Sequence, residues 1–135
     1  MVDNRLDARA TLEAYLKAWQ EQNWTMMTLL MQLTGREYGW DNRKMRDAYS
    51  DYRLYGFEIK SSNHVSLVCV DFVVNMGYVY GPASTEQQVM QFVLVTARVV
   101  KENAPFGPDA RGTWGVNPHS LLRLGSGRER GIGNA

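Results

Sequence analysis

The feature that most constrains this chain is a change of hydrophobic period at Tyr52. Ahead of it, apolar residues recur at helical spacing; beyond it they alternate as in strands. Helices first and strands second define an α+β chain. The expected form is two or three N-terminal helices packed on a long, curved antiparallel sheet of about four strands.

The helical block begins with an N-cap offered by Asp3 or Asn4. Leu6, Ala10, Ala14 and Ala18 form one apolar row, and Leu12, Tyr15, Leu16 and Trp19 the next. Together they give a buried stripe on a helix running to about Gln22. On its wetter face Glu13 precedes Lys17 by one helical turn, a favourable order for an ion pair. A second helix is expected from Met26 to about Leu33, stopped by Thr34-Gly35. Its methionines Met26, Met27 and Met31 suit packing against neighbours. Asp41 caps a third, short helix, Asn42 to about Tyr49.

In the strand block, Tyr55, Phe57 and Ile59 alternate with Gly56, Glu58 and Lys60. Ser61-Ser62-Asn63 reads as a tight turn and His64 to Tyr80 as one long strand. Gly81 to Ser84 turns the chain, and Gln87 to Lys101 returns as a strand of similar length. A loop from Glu102 to Gly112 leads to a final strand, Thr113 to Leu124, in which Pro118 marks an edge or a bulge. Consecutive strands with short connections pair most economically as an antiparallel meander.

A chain of 135 residues, 44% of them hydrophobic, fits one domain with one core. That domain is expected over residues 1–124, with 125–135 as a flexible glycine-rich tail holding Arg128 and Arg130. The lone cysteine, Cys69, has no partner for an internal disulfide and reads as a small buried hydrophobe. Fifteen basic residues against 14 acidic ones, a net charge of +1, argue against a general nucleic-acid surface. The N-terminal residues lack the apolar core of a signal peptide, and no apolar run of about 18 residues offers a membrane span. A cytoplasmic location is expected for the chain as it stands, and an extracytoplasmic one if it is part of a longer exported protein.

Two stretches carry a resemblance to a known superfamily. AYLKAWQEQNWTMMTLLM, from Ala14 to Met31, resembles the first two helices of the nuclear transport factor two-like proteins. GTWGVNPHSLL, from Gly112 to Leu122, resembles their final strand. The order of elements is similar along nearly the whole chain. The resemblance implies a cone-shaped fold with a pocket between the concave sheet face and the helices. The superfamily holds enzymes such as ketosteroid isomerase, scytalone dehydratase and polyketide cyclases. It also holds non-catalytic modules attached to penicillin-binding proteins, which the opening stretch resembles too. Many catalytic members place a strand pair between the second and third helices, where this chain has only Glu37 to Asp41.

A catalytic member would need an acid or base in an apolar cavity, where burial shifts its pKa toward neutrality. Asp71, mid-strand between Val70 and Phe72, is the candidate catalytic residue. The competing reading has Asp71 facing solvent or paired with a partner such as Arg98 on the next strand. Tyr15, Trp19, Tyr38, Trp40, Tyr78 and Arg98 are the candidate pocket-lining residues, with Tyr80 at a strand end; the aromatic ones suit a core equally well. His64 and His119 lack ligand-like spacing, so no metal site and no cofactor is expected.

Two functions follow. One is a non-catalytic binding or assembly module. From Val65 to Val74 both strand faces are apolar except at Ser66 and Asp71, so something beyond the helices must cover the second face. That predicts a homodimer through the sheet, with a small hydrophobic ligand or a protein as further partner. The other is a small-molecule isomerase, dehydratase or cyclase working through Asp71.

Overall fold

The computed structural model describes residues 7–81, 90–103 and 107–122. Its elements run α1 (Ala8–Gln20), α2 (Trp24–Leu30), α3 (Thr34–Glu37), α4 (Asn42–Tyr49), β1 (Tyr52–Ser66), β2 (Cys69–Tyr80), β3 (Gln91–Glu102), β4 (Thr113–Val116) and α5 (Pro118–Leu121). The strands form one sheet in the order β1-β2-β3-β4, with every neighbouring pair antiparallel. The chain is α+β, helices first and a meander second, as the change of period at Tyr52 implied.

Helix α1 starts where Asp7 accepts the Ala10 backbone N–H at 2.7 Å. Asp7, not Asp3 or Asn4, is therefore the cap; residues 1–6, Leu6 included, lie outside the described residues. The helix stops at Gln20, two residues early, because Gln22 takes a left-handed φ of 56°. Its buried stripe of Leu12, Tyr15, Leu16 and Trp19 lies against the sheet. On the wet face Glu13 pairs back to Arg9 at 3.4 Å rather than forward to Lys17.

Helix α2 is shorter than its apolar run. It ends at Leu30 because Met31 turns extended and bridges Val116 in parallel register, and the Gln32 N–H donates to the Val116 carbonyl at 2.9 Å. Thr34-Gly35, expected to stop that helix, instead opens α3. Helix α4 is capped by Asp41 as expected, its carboxylate accepting the Lys44 N–H at 2.8 Å.

Three strand boundaries differ from the sequence expectation. Ser61-Ser62-Asn63 is not a turn: β1 runs through it to Ser66, and the chain reverses at Leu67-Val68, where Ser66 Oγ accepts the Val68 N–H at 3.2 Å. The run from His64 to Tyr80 is thus the end of β1 plus β2. The polar triplet is tolerated because β1 is an edge strand exposed on both faces there, with register shifts between Ile59 and Ser61 and between His64 and Ser66. The final strand is four residues long, not twelve. Asn117 accepts the His119 N–H at 2.9 Å and Pro118 takes the first helical turn, so α5 replaces the expected strand end. The third strand starts at Gln91, while the expected Gln87 start, the Gly81 to Ser84 turn beyond Gly81 and the tail 125–135 fall on residues outside the described ones.

The core lies between the helices and one sheet face. Val70, Phe72, Val74, Met76 and Tyr78 of β2 and Val95, Ala97 and Val99 of β3 meet Leu12, Tyr15, Leu16, Trp19, Met27, Met45 and Tyr49, all buried. Complete burial of such a side chain contributes roughly 1.5–3 kcal/mol each. Alternate residues of the same strands form the outer face.

Candidate functional site

Asp71 and Arg98 sit directly opposite each other on β2 and β3, on the outer face. Arg98 Nε and Nη2 donate to Asp71 Oδ1 and Oδ2 at 2.8 and 2.9 Å, a two-pronged fork. The Asp71 side chain is 19% exposed and that of Arg98 46%. Donating its hydrogen bonds to Asp71 holds the Arg98 guanidinium above its already high range. Cys69, two residues before Asp71 on the same face, is only partly buried, so the buried-hydrophobe expectation fails for it. What burial it has is enough to push its thiol up.

The aromatic candidates divide. Tyr15, Trp19, Trp40 and Tyr78 are packed in the core. Tyr38 is 73% exposed on the α3–α4 connection, and Tyr80 stands exposed at the end of β2. The structure therefore does not bring Asp71, Arg98 and Tyr38 together with the other four.

Inside, Tyr15 donates to the Tyr49 hydroxyl at 3.0 Å, and Tyr49 donates to the Pro118 carbonyl at 2.6 Å. Trp19 meets the Tyr49 ring edge-on at 4.8 Å, and its Nε1–H donates to the Tyr52 carbonyl at 2.7 Å. Burial pushes both hydroxyls, Tyr15 and Tyr49, well above the ordinary phenol range. Sequence reasoning missed Tyr49 as the hub. Its signal was spacing: Met45 and Tyr49 lie one helical turn apart on the buried side of α4.

The outer face has a second region, toward the other end of the strands. Gly56 of β1 faces Gly77 of β2. With no side chains between them, an open groove of about 390 Å³ forms, lined by Tyr55, Met90 and Phe92, with Glu58 and Asn75 beyond. Phe92 is 74% exposed and Leu94, next on the same face of β3, 62% exposed. The Phe92 ring leans over Gly77, whose added Cβ would lie 3.0 Å from it. These residues were also missed, although their parity, opposite to that of Val93 and Val95, marks the outward side.

A buried carboxylate sits at the sheet's other end. Glu102, at the end of β3, accepts from Gln32 Nε2 at 2.9 Å, from the Thr34 N–H at 3.0 Å and from the Thr34 hydroxyl. Its hydrogen bonds are taken up in holding the α2–α3 link to the sheet. Among the described residues no three His, Cys, Asp or Glu side chains gather as metal ligands, and no helix is long and apolar enough to cross a membrane.

No family model matches the chain, and no curated protein matches it. One solved structure is similar: a SEC-C motif containing protein from Rhodopseudomonas palustris, known from a solution structure. The two share 11% identity at a TM-score of 0.58, over 80% of this chain and 73% of that one. At that identity the likeness is one of fold.

Proposed function

We propose that this chain is a non-catalytic binding or assembly module of the cone-shaped, nuclear transport factor two-like kind, and that a second copy covers its outer sheet face. The observation that carries the reading is the exposed apolar row Tyr55, Met90, Phe92 and Leu94 beside the Gly56–Gly77 groove. With large side chains bringing about 150–250 Å² each, the exposed part of that row comes to roughly 400–500 Å². Polar residues of the same face supply the remainder toward the about 800 Å² per partner of a stable interface.

A second copy fits this face for two reasons. A ridge and a groove side by side on one surface are what a two-fold contact needs, since each copy offers both halves. Most charges of the face are paired in place, Asp71 with Arg98 and Glu58 with Lys60, while Arg53 lies over the Tyr55 ring, so a copy of itself meets little net repulsion. The enzyme alternative draws its candidate base, Asp71, from this outer face, where Arg98 holds it across the sheet from the helices.

Sedimentation velocity across the micromolar range tests the reading. A dimer is expected, converted to monomer by Leu94→Glu with an unchanged circular dichroism spectrum. A wild-type chain that stays monomeric throughout that range overturns it.

A further inference from the structure

On the opposite side of the molecule, the α3–α4 corner carries a groove of about 450 Å³ lined by Thr28, Arg36, Trp40, Asp41, Asn42 and Arg43. From its geometry we infer that this groove binds a small phosphate-bearing anion between the guanidinium groups of Arg36 and Arg43. The site shares no residue with the proposed dimer face and does not depend on it.

The first argument is the state of the arginines. Arg9, Arg46, Arg98 and Arg111 each face a carboxylate, and Arg53 lies over the Tyr55 ring. Among the described arginines, Arg36 and Arg43 are the two that face neither, and both line one groove. A guanidinium's planar set of donors fits two oxygens of a phosphate at once, and two such groups flanking one space can share a single anion. With Asp41 the groove carries two positive charges against one negative, and a bound anion offsets that excess.

The second argument is the stiffness of the frame. Gly39, at a φ of +88°, turns the chain between the two arginines. The Trp40 N–H and the Tyr38 N–H both donate to the Gly35 carbonyl, at 3.0 and 3.1 Å. Trp40 is buried, its ring meeting His119 edge-on at 5.2 Å with Lys44 Nζ 4.9 Å above it. Glu102 fixes the start of α3 to the sheet through Thr34. Arg36 and Arg43 thus project from backbone that is already set, which lowers the ordering cost of binding. Lys44 adds a third positive charge nearby. Asp41 is the one carboxylate lining the groove, and it accepts the Lys44 N–H as the cap of α4. The volume lies within the usual range for small-molecule sites, about 300–1,000 Å³.

The test is titration of the whole chain with inorganic phosphate and with pyrophosphate, followed by amide chemical shifts and calorimetry. Saturable shifts confined to residues 34–44 are expected, tighter for pyrophosphate. Arg36→Gln with Arg43→Gln should weaken binding at least tenfold, Arg36→Lys with Arg43→Lys less, and Arg9→Gln not at all. Shifts spread over all basic residues, or equal affinity in the Arg36→Gln/Arg43→Gln protein, would overturn the assignment. So would the absence of saturation by millimolar pyrophosphate. A monomeric chain that still binds pyrophosphate here would remove the dimer proposal and leave this one standing.

Discussion

The two faces of this sheet are built from the same strands and obey opposite rules. The inner face of β2 is continuous: Val70, Phe72, Val74, Met76 and Tyr78 are buried without a break. The outer face of β2 and β3 changes character along its length, from the Cys69, Asp71 and Arg98 cluster to Asn75, Gly77, Leu94 and Phe92. The inner face is uniform because close packing is its chief source of stability. The outer face is mixed, with a charge pair at one end and an open groove at the other. Stability is therefore expected to reside on the inner face, and recognition on the outer one.

Substitutions separate the two faces, beginning with the inner one. Trp19→Ala removes a fully buried ring that packs on Tyr49, and should cost about 3–5 kcal/mol in denaturant unfolding. Should Trp19→Ala unfold like wild type, the inner face is not where stability resides. Gly115→Ala should be comparably harmful for a different reason: where Met31 and Gln32 cross the β4 edge, its Cβ would sit 2.6 Å from the Met31 carbonyl oxygen, a backbone atom.

Tyr49→Phe should cost about 1–3 kcal/mol, since it removes the donor to the Pro118 carbonyl and leaves the Tyr15 hydroxyl only the weak Met45 sulfur acceptor at 3.6 Å. It also carries a pH signature. Tyr15 and Tyr49 have folded pKa values raised above the unfolded value near 10. Their contribution is complete below about pH 10 and is lost as the pH rises above it, because the unfolded chain releases protons that the folded chain keeps. Wild-type stability should fall steeply above pH 10, and less steeply in Tyr49→Phe. Equal slopes would mean the hydroxyls are open to water.

Outer-face changes should be small in stability. Asp71→Ala should cost about 1 kcal/mol or less, the scale of an exposed ion pair. Leu94→Glu should shift unfolding by about 0.5 kcal/mol or less in a monomer while abolishing association. A large loss of stability in Asp71→Ala would erase the contrast between the faces.

The broad architecture was legible in the sequence because period is a local property. The Asp41 cap of α4, the alternation of Phe57 and Ile59, and the parity of β2 from Val70 to Tyr78 need no tertiary information. The misplaced boundaries have tertiary causes. Met31 leaves its helix because Val116, 85 positions on, offers a backbone partner. Ser61-Ser62-Asn63 stays in a strand because bulges and an exposed edge accept polar residues that would otherwise turn the chain. Tyr55 leaves the buried alternation at the register shift between Leu54 and Gly56. Of the candidate site, the Asp71–Arg98 pairing could be anticipated from strand order. The Gly56–Gly77 groove depends on a bulged register that no local pattern specifies.

The fastening of the helices to the last two strands has a consequence for the order of folding. Thr34 and Gln32 reach Glu102 across 68 and 70 residues, and Met31 waits for Val116. Helical segments can form in microseconds, but their seat on the sheet includes β4, so a ribosome must deliver nearly the whole domain before they dock. Until then the apolar stripe of α1 has nowhere permanent to rest. A nascent chain arrested short of Thr113 is expected to be held by chaperones and cut readily in α1 and α2, whereas one extended past α5 should resist the same protease.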